Sequence, residues 1–219
     1  MVDRLSVKPR LRGVSHQWAF FVSLVTGLAL VLSAPGGRAT LAAGIYAATV
    51  AALFGTSALY HRITWASDAA RRWMRRLDHS MIFLLIAGTY TPFALLSLSG
   101  GLATAILVAV WAGTGAGIVL KLAWIDAPKW LVAVIYVALG WVVVAAFPEL
   151  YDALGVTAVA MVAAGGVLYT AGAVIYATKR PDPVPAVFGY HEVFHALVIV
   201  AAALQYAVVA FYVLPGARG

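Results

Sequence analysis

Long apolar runs separated by short polar stretches make up this chain. The first covers about 16–34, enough to cross roughly 30 Å of hydrocarbon as a helix. Further runs follow over 39–63, 77–98, 102–122, 130–147, 156–178 and 190–213, divided by turn formers such as Pro35-Gly36-Gly37 or by charge. The pattern predicts an all-α membrane protein, a bundle of seven transmembrane helices. One transmembrane domain is expected over 16–213, with a polar, basic segment over 1–15 and a short tail over 214–219. The first run exceeds a signal-peptide core and no Ala-x-Ala site precedes Pro35, so it is expected to be retained.

Composition sharpens this reading. With 63% hydrophobic and 11% charged residues and a mean hydropathy of +0.94, the chain falls outside the range of soluble domains. Its net charge of +7 comes from residues in loops between apolar runs, which argues for membrane orientation and lipid headgroups and against nucleic acid. Thirteen of the fifteen Lys and Arg residues, among them Arg4, Arg12, Arg62, Arg71, Arg72, Arg75, Arg76, Lys121, Lys129 and Lys179, fall on one set of alternate loops. Arg38 and Arg218 fall on the other. Because basic loops are retained inside, the N-terminus is expected to be cytoplasmic and the C-terminus outside, in the inner (plasma) membrane of the cell.

The same topology places His16, His61, Asp78, His79, His191 and His195 at cytoplasmic ends of spans, so residues distant in sequence are gathered into one layer. Ionisable groups at such depths are costly and mark functional sites by default. His191 and His195 lie four apart on one helical face and can share a metal ion. With no cysteine in the chain, a zinc site must be built from imidazole, carboxylate and water, and His61 supplies a third imidazole. Three protein ligands leave a fourth position open, as in catalytic zinc sites. Asp78 is then placed to hold or deprotonate zinc-bound water. It can equally sit at a helix N-terminus or pair with Arg75 or Arg76. Ser57, one turn before His61, can position substrate or water, or simply pack against a neighbouring helix. His16 and His79 are expected in supporting roles, His16 at the interface or in a hydrogen bond and His79 capping or orienting.

Glu192 opens another reading. His191-Glu192-x-x-His195 matches the H-E-x-x-H pattern of metalloproteases, in which the Glu is the general base, and intramembrane proteases carry it on a membrane helix. That reading leaves His61 and Ser57 without a role. Glu192 can also face water at a helix start.

Three stretches together, Ser57-Ala-Leu-Tyr-His61, Leu77-Asp78-His79-Ser80 leading into Ala87-Gly88-Thr89-Tyr90-Thr91-Pro92-Phe93, and His191 to His195, resemble the hemolysin III branch of the progestin and adipoQ receptor (PAQR) superfamily, related to membrane ceramidases. The resemblance covers nearly the whole chain. It implies seven helices, a zinc ion (Zn2+) held by His61, His191 and His195, and a water held by Asp78. At the N-terminus, Lys8-Pro-Arg-Leu-Arg12 replaces the acidic and Asn residues frequent in the family, while His16 fits its early histidine. The function expected is metal-dependent hydrolysis of a lipid amide or ester in membrane lipid and fluidity homeostasis. A structural zinc in a non-enzymatic membrane sensor is the alternative. Membrane lipid is the expected partner, and no part of the sequence points to a protein hormone or to nucleic acid.

Overall fold

The computed structural model describes residues 8–217, and among these the chain is helical almost throughout, with one isolated β-bridge between Val184 and Phe188. Helix α1 (Val14–Ser33) ends where Ala34 turns extended ahead of Pro35, a residue with no N–H to continue the ladder. Helix α2 (Gly37–Arg62) follows. Ser67 then caps α3 (Asp68–Leu96) by accepting the Ala70 N–H at 3.2 Å. That cap starts α3 at Asp68 instead of the expected 77, so Arg71, Arg72, Arg75 and Arg76 stand on helical turns and not in a loop.

Helices α4 (Gly100–Ala123) and α5 (Lys129–Gly140) come next, and a 3-10 segment, Trp141–Ala146, joins α5 to α6 (Phe147–Thr178). Helix α7 (Tyr190–Val208) passes through a π-helical turn, Val209–Val213, into the short α8 (Leu214–Gly216). Six helical stretches among the described residues are long and apolar enough to cross a membrane, not the seven expected. The runs over 130–147 and 156–178 lie in one stretch, Lys129–Thr178, because helix continues through the Pro148-Glu149 and Asp152 segment that separates them. That stretch is not straight. Gly155 leaves the helical region (φ 81°, ψ 170°), a conformation open to glycine. Trp141 Nε1 donates to Thr170 Oγ1 at 2.9 Å, whereas a straight helix would separate those residues by roughly 40 Å.

The polarity of the bundle is that of a protein in lipid. On α1 the buried residues are His16, Ser23, Gly27 and Leu30, whereas Trp18, Phe21, Val25, Leu28 and Leu32 are exposed. Small and polar groups therefore face neighbouring helices and large apolar ones face outward, where hydrocarbon replaces water. Successive helices pack side by side, α1 on α2, α2 on α3, α3 on α4 and α6 on both α5 and α7, and α7 returns to touch α1. This winding brings the starts of α1, α3, α5 and α7 to one end, together with the ends of α2, α4 and α6. Arg62 donates to Gln17 Oε1 at 3.1 Å, Arg76 to Leu122 O at 3.0 Å and Lys129 to the Tyr190 hydroxyl at 3.4 Å. Arg4, Arg218 and the outermost parts of the segments 1–15 and 214–219 lie outside the described residues.

Helices α2 and α3 approach closely at Gly88. A Cβ on Gly88 would overlap the buried Thr49 side chain, whose hydroxyl donates to Tyr46 O at 2.9 Å. Gly88→Ala is expected to destabilise the protein by about 1–3 kcal/mol, the usual cost of overpacking. Thermal unfolding in detergent measures it, and Thr49→Ala should recover part of the loss in the double variant.

Candidate metal centre

Glu192 caps the start of α7, its carboxylate accepting the Gly189 N–H at 2.9 Å. The cap fixes the first turn, and with it His191 and His195 one turn apart facing the bundle. His61 arrives from the last turn of α2. Its Nε2 lies 3.1 Å from His191 Nε2, and the ring centres of His191 and His195 are 4.5 Å apart. One nitrogen from each of the three falls within 4.8 Å of the others, and all three residues are buried. Two donors on a tetrahedral zinc at roughly 2.0–2.1 Å stand about 3.3 Å apart, close to the 3.1 Å between His61 and His191. His195 Nδ1 is buried with no hydrogen-bond partner among the described residues, an orphan that a metal bond would satisfy. The donor set therefore fits a metal ion, and its chemistry suits one that prefers imidazole.

Asp78 stands beside this group and outside it. Its Oδ2 is 3.9 Å from His61 Nε2, too far for a shared hydrogen bond and near enough to reach a small molecule held between them. The alternative pairing with Arg75 or Arg76 is not made. Arg75 meets Asp126 at 3.0 Å, and Arg76 donates to Leu122 O. Ser57 is 3% exposed and hydrogen-bonds His16 Nδ1 at 2.8 Å. His16 is equally buried, so the interfacial reading of that residue gives way to the hydrogen-bonding one. Its ring stacks on His195 with centroids 3.7 Å apart and planes 8° from parallel, which limits how His195 can turn.

His79 does not join the three imidazoles. Its Nδ1 lies 2.8 Å from Arg75 O and its Nε2 3.0 Å from the Tyr176 hydroxyl, so both nitrogens are engaged. Because a carbonyl only accepts, Nδ1 carries a proton and donates to it, and Nε2 of the neutral ring accepts from Tyr176. Tyr136 donates to the His79 carbonyl at 2.8 Å and holds the same turn of α3.

Glu192 does not face water. It is 1% exposed, and its carboxylate accepts from Arg12 Nε as well as from Gly189. The N-terminal segment is fixed to this end by more than that pair. The Arg10 and Leu11 N–H groups donate to Ala186 O at 3.0 Å and Val187 O at 3.1 Å, laying the chain ahead of α1 across the α6–α7 loop. Sequence reasoning counted Arg12 only as a topological charge, and a lone arginine in a basic stretch carries no signal of a buried partner. Tyr176 and Tyr136 were missed for a similar reason, since an aromatic in a span reads as packing.

His16, Ser57, Asp78, His79, His191 and His195 line one end of a cavity of about 150 Å³. From there the cavity runs between α3, α5, α6 and α7 past apolar walls such as Leu85, Phe93, Val137 and Phe147. The arrangement joins a cluster able to hold a metal, a carboxylate and a hydroxyl to an apolar channel.

Residues 5–206 match the family described as haemolysin-III related. Hemolysin-3 of Bacillus cereus is 30% identical over 207 residues, covering 93% of this chain and 91% of the relative. The Hemolysin-3 homolog of Bacillus subtilis (strain 168) is 33% identical over 168 residues, covering 77% and 75%.

Proposed function

The chain belongs to the haemolysin-III-related family of multi-pass membrane proteins, and from that premise we propose that it is a zinc-dependent hydrolase acting on a lipid amide or ester. The observation that carries this reading is the meeting of His61, His191 and His195 beside Asp78 and Ser57 at the polar head of an apolar cavity. A lipid enters such a cavity from the bilayer, and its chain gains the apolar walls while its carbonyl stays at the polar end.

His61, His191 and His195 would hold the metal, with His16 stacked against His195 to fix that ring. When bound, zinc supplies a Lewis acid that polarises a carbonyl and makes water a stronger acid. Asp78 Oδ2 takes the proton of the attacking water and returns it to the departing amine or alcohol. Ser57, held by His16, donates to the oxygen on which charge develops. Glu192 has no part in this scheme. Its carboxylate is committed to Arg12 and the α7 cap, which disfavours the intramembrane protease.

The reading includes an orientation. The Lys129–Thr178 stretch crosses twice by turning at Gly155, which gives seven crossings, and the histidine end faces the cytoplasm in the inner membrane. The return contact of Trp141 with Thr170 and the concentration of basic residues at the histidine end support this.

Asp78→Asn tests the function. The variant is expected to keep its zinc and melting temperature while losing about a hundredfold or more in hydrolysis of fluorogenic long-chain amide and ester probes. A parent that binds zinc, gains stability from it and hydrolyses neither probe class would favour a structural metal in a membrane sensor.

A further inference from the structure

Ten residues beyond His195, an amide interrupts the apolar run of α7. Gln205 is 5% exposed and lies against Gly165 of α6, with Nε2 donating to Val162 O at 3.2 Å. That carbonyl only accepts, so the amide cannot turn over, and Oε1 is left as the unpaired atom. It is buried with no partner among the described residues, and Gln205 lines the cavity that begins at the histidines. One turn along α6 from Gly165, Tyr169 lines the same cavity, and its hydroxyl is likewise buried without a partner. Apolar side chains, among them Leu53, Leu85 and Val198, line the same cavity.

Unpaired polar atoms are rare in native structures, and in hydrocarbon there is no bulk water to relieve them. A leucine and a phenylalanine would fill the same places without that cost. Two such atoms on facing helices of one apolar cavity therefore call for a ligand group that meets both. Gln205 Oε1 only accepts, and the Tyr169 hydroxyl can donate, so the complementary group must donate to one and accept from the other. A hydroxyl does both.

We propose that Gln205 and Tyr169 form a second polar subsite that receives a hydroxyl on the chain of the bound lipid, roughly 15 Å along α7 from His195. The inference rests on the reading that the lipid's carbonyl lies at the histidines, and it makes the substrate class a lipid hydroxylated near mid-chain. Gln205 and Tyr169 are then specificity residues that touch the chain and take no part in the chemistry.

Binding to the full-length, detergent-purified chain tests this without turnover. Ricinoleic and oleic acids, which differ by one mid-chain hydroxyl, are competed against a fluorescent fatty acid. Ricinoleic acid is expected to bind about tenfold more tightly, the effect of one well-made hydrogen bond in a dry site. The ratio should fall to about one in Gln205→Leu and in Tyr169→Phe, with oleic acid bound as in the parent. Equal affinities in the parent, a ratio that survives both substitutions, or no binding of either acid would overturn the proposal. An ordered water held by the pair gives the first of these results. Should Gln205→Leu fail to fold, Tyr169→Phe removes only one oxygen and gives the same readout. Loss of hydrolysis with the ratio intact would sink the enzymatic reading alone, and hydrolysis with a ratio of one would sink this one alone.

Discussion

Replacing any one of His61, His191 or His195 with alanine is expected to empty the site, from about one zinc per chain in protein purified without chelator to less than about a tenth. The three donors lie within 4.8 Å of one another, and no other His, Asp or Glu among the described residues joins them in a group of that kind. A site with three protein ligands does not fall back on two without losing most of its affinity. His79→Ala is the matched control. Both nitrogens of that ring are already bonded, to Arg75 O and Tyr176, so its removal should leave the metal in place and lower stability modestly. Elemental analysis of the four variants reads this directly. A parent without metal, or one whose metal survives all three substitutions, would reduce the cluster to a buried polar network and remove the basis for hydrolysis.

Arg12→Ala is expected to be the most damaging change outside the metal cluster, at about 3–5 kcal/mol, because it strips the partner from a buried carboxylate. The Glu192 side chain is 2% exposed whereas that of Arg12 is 21% exposed, so the acid cannot reach water when its partner goes. Glu192→Gln should cost less, about 1–2 kcal/mol, since the amide oxygen still caps Gly189 and the freed guanidinium can reach solvent. In the double variant most of the Arg12→Ala loss should return, for no charge is then left buried. Thermal unfolding in detergent measures all three, and additive losses would show that the pair is not coupled. Zinc content gives a second readout. Glu192→Gln is expected to keep the metal, an outcome a general base in a metalloprotease would also allow, but to keep hydrolysis of the lipid probes as well, which it would not.

The legibility of this protein follows from how far each signal reaches along the chain. A run of some twenty apolar residues announces a helix in lipid by itself, because every backbone polar group must be paired within the segment. Such runs marked the helices, yet their ends were set by features that hydropathy does not weigh, and Ser67 began α3 a full two turns early. The division between the runs over 130–147 and 156–178 was legible from Pro148, Glu149, Asp152 and Gly155, but helix continues through those residues up to Gly155, which hydropathy could not tell. His191 and His195 declared themselves through a local rule, the one-turn spacing of a helix face. His61 and Asp78 needed the alternation of spans, which converts sequence distance into depth. The burial of Glu192, one of whose open readings was to face water, had no local signal because its partner lies 180 residues away.

That the chain is helical and lives in lipid, which ends of its helices lie together, and which three imidazoles can reach one ion were all legible along the chain. Each of these depends on local spacing or on the order of apolar runs. Which way each polar group turns once there came from helix packing: His79 away toward Tyr176, His16 onto Ser57 and His195, Glu192 onto Arg12, and Gln205 and Tyr169 into the same cavity. Those choices depend on which helices become neighbours and at what rotation. That is settled by the fit of small and large side chains such as Gly88 and Thr49 across the bundle, a property of pairs of helices that no single segment contains.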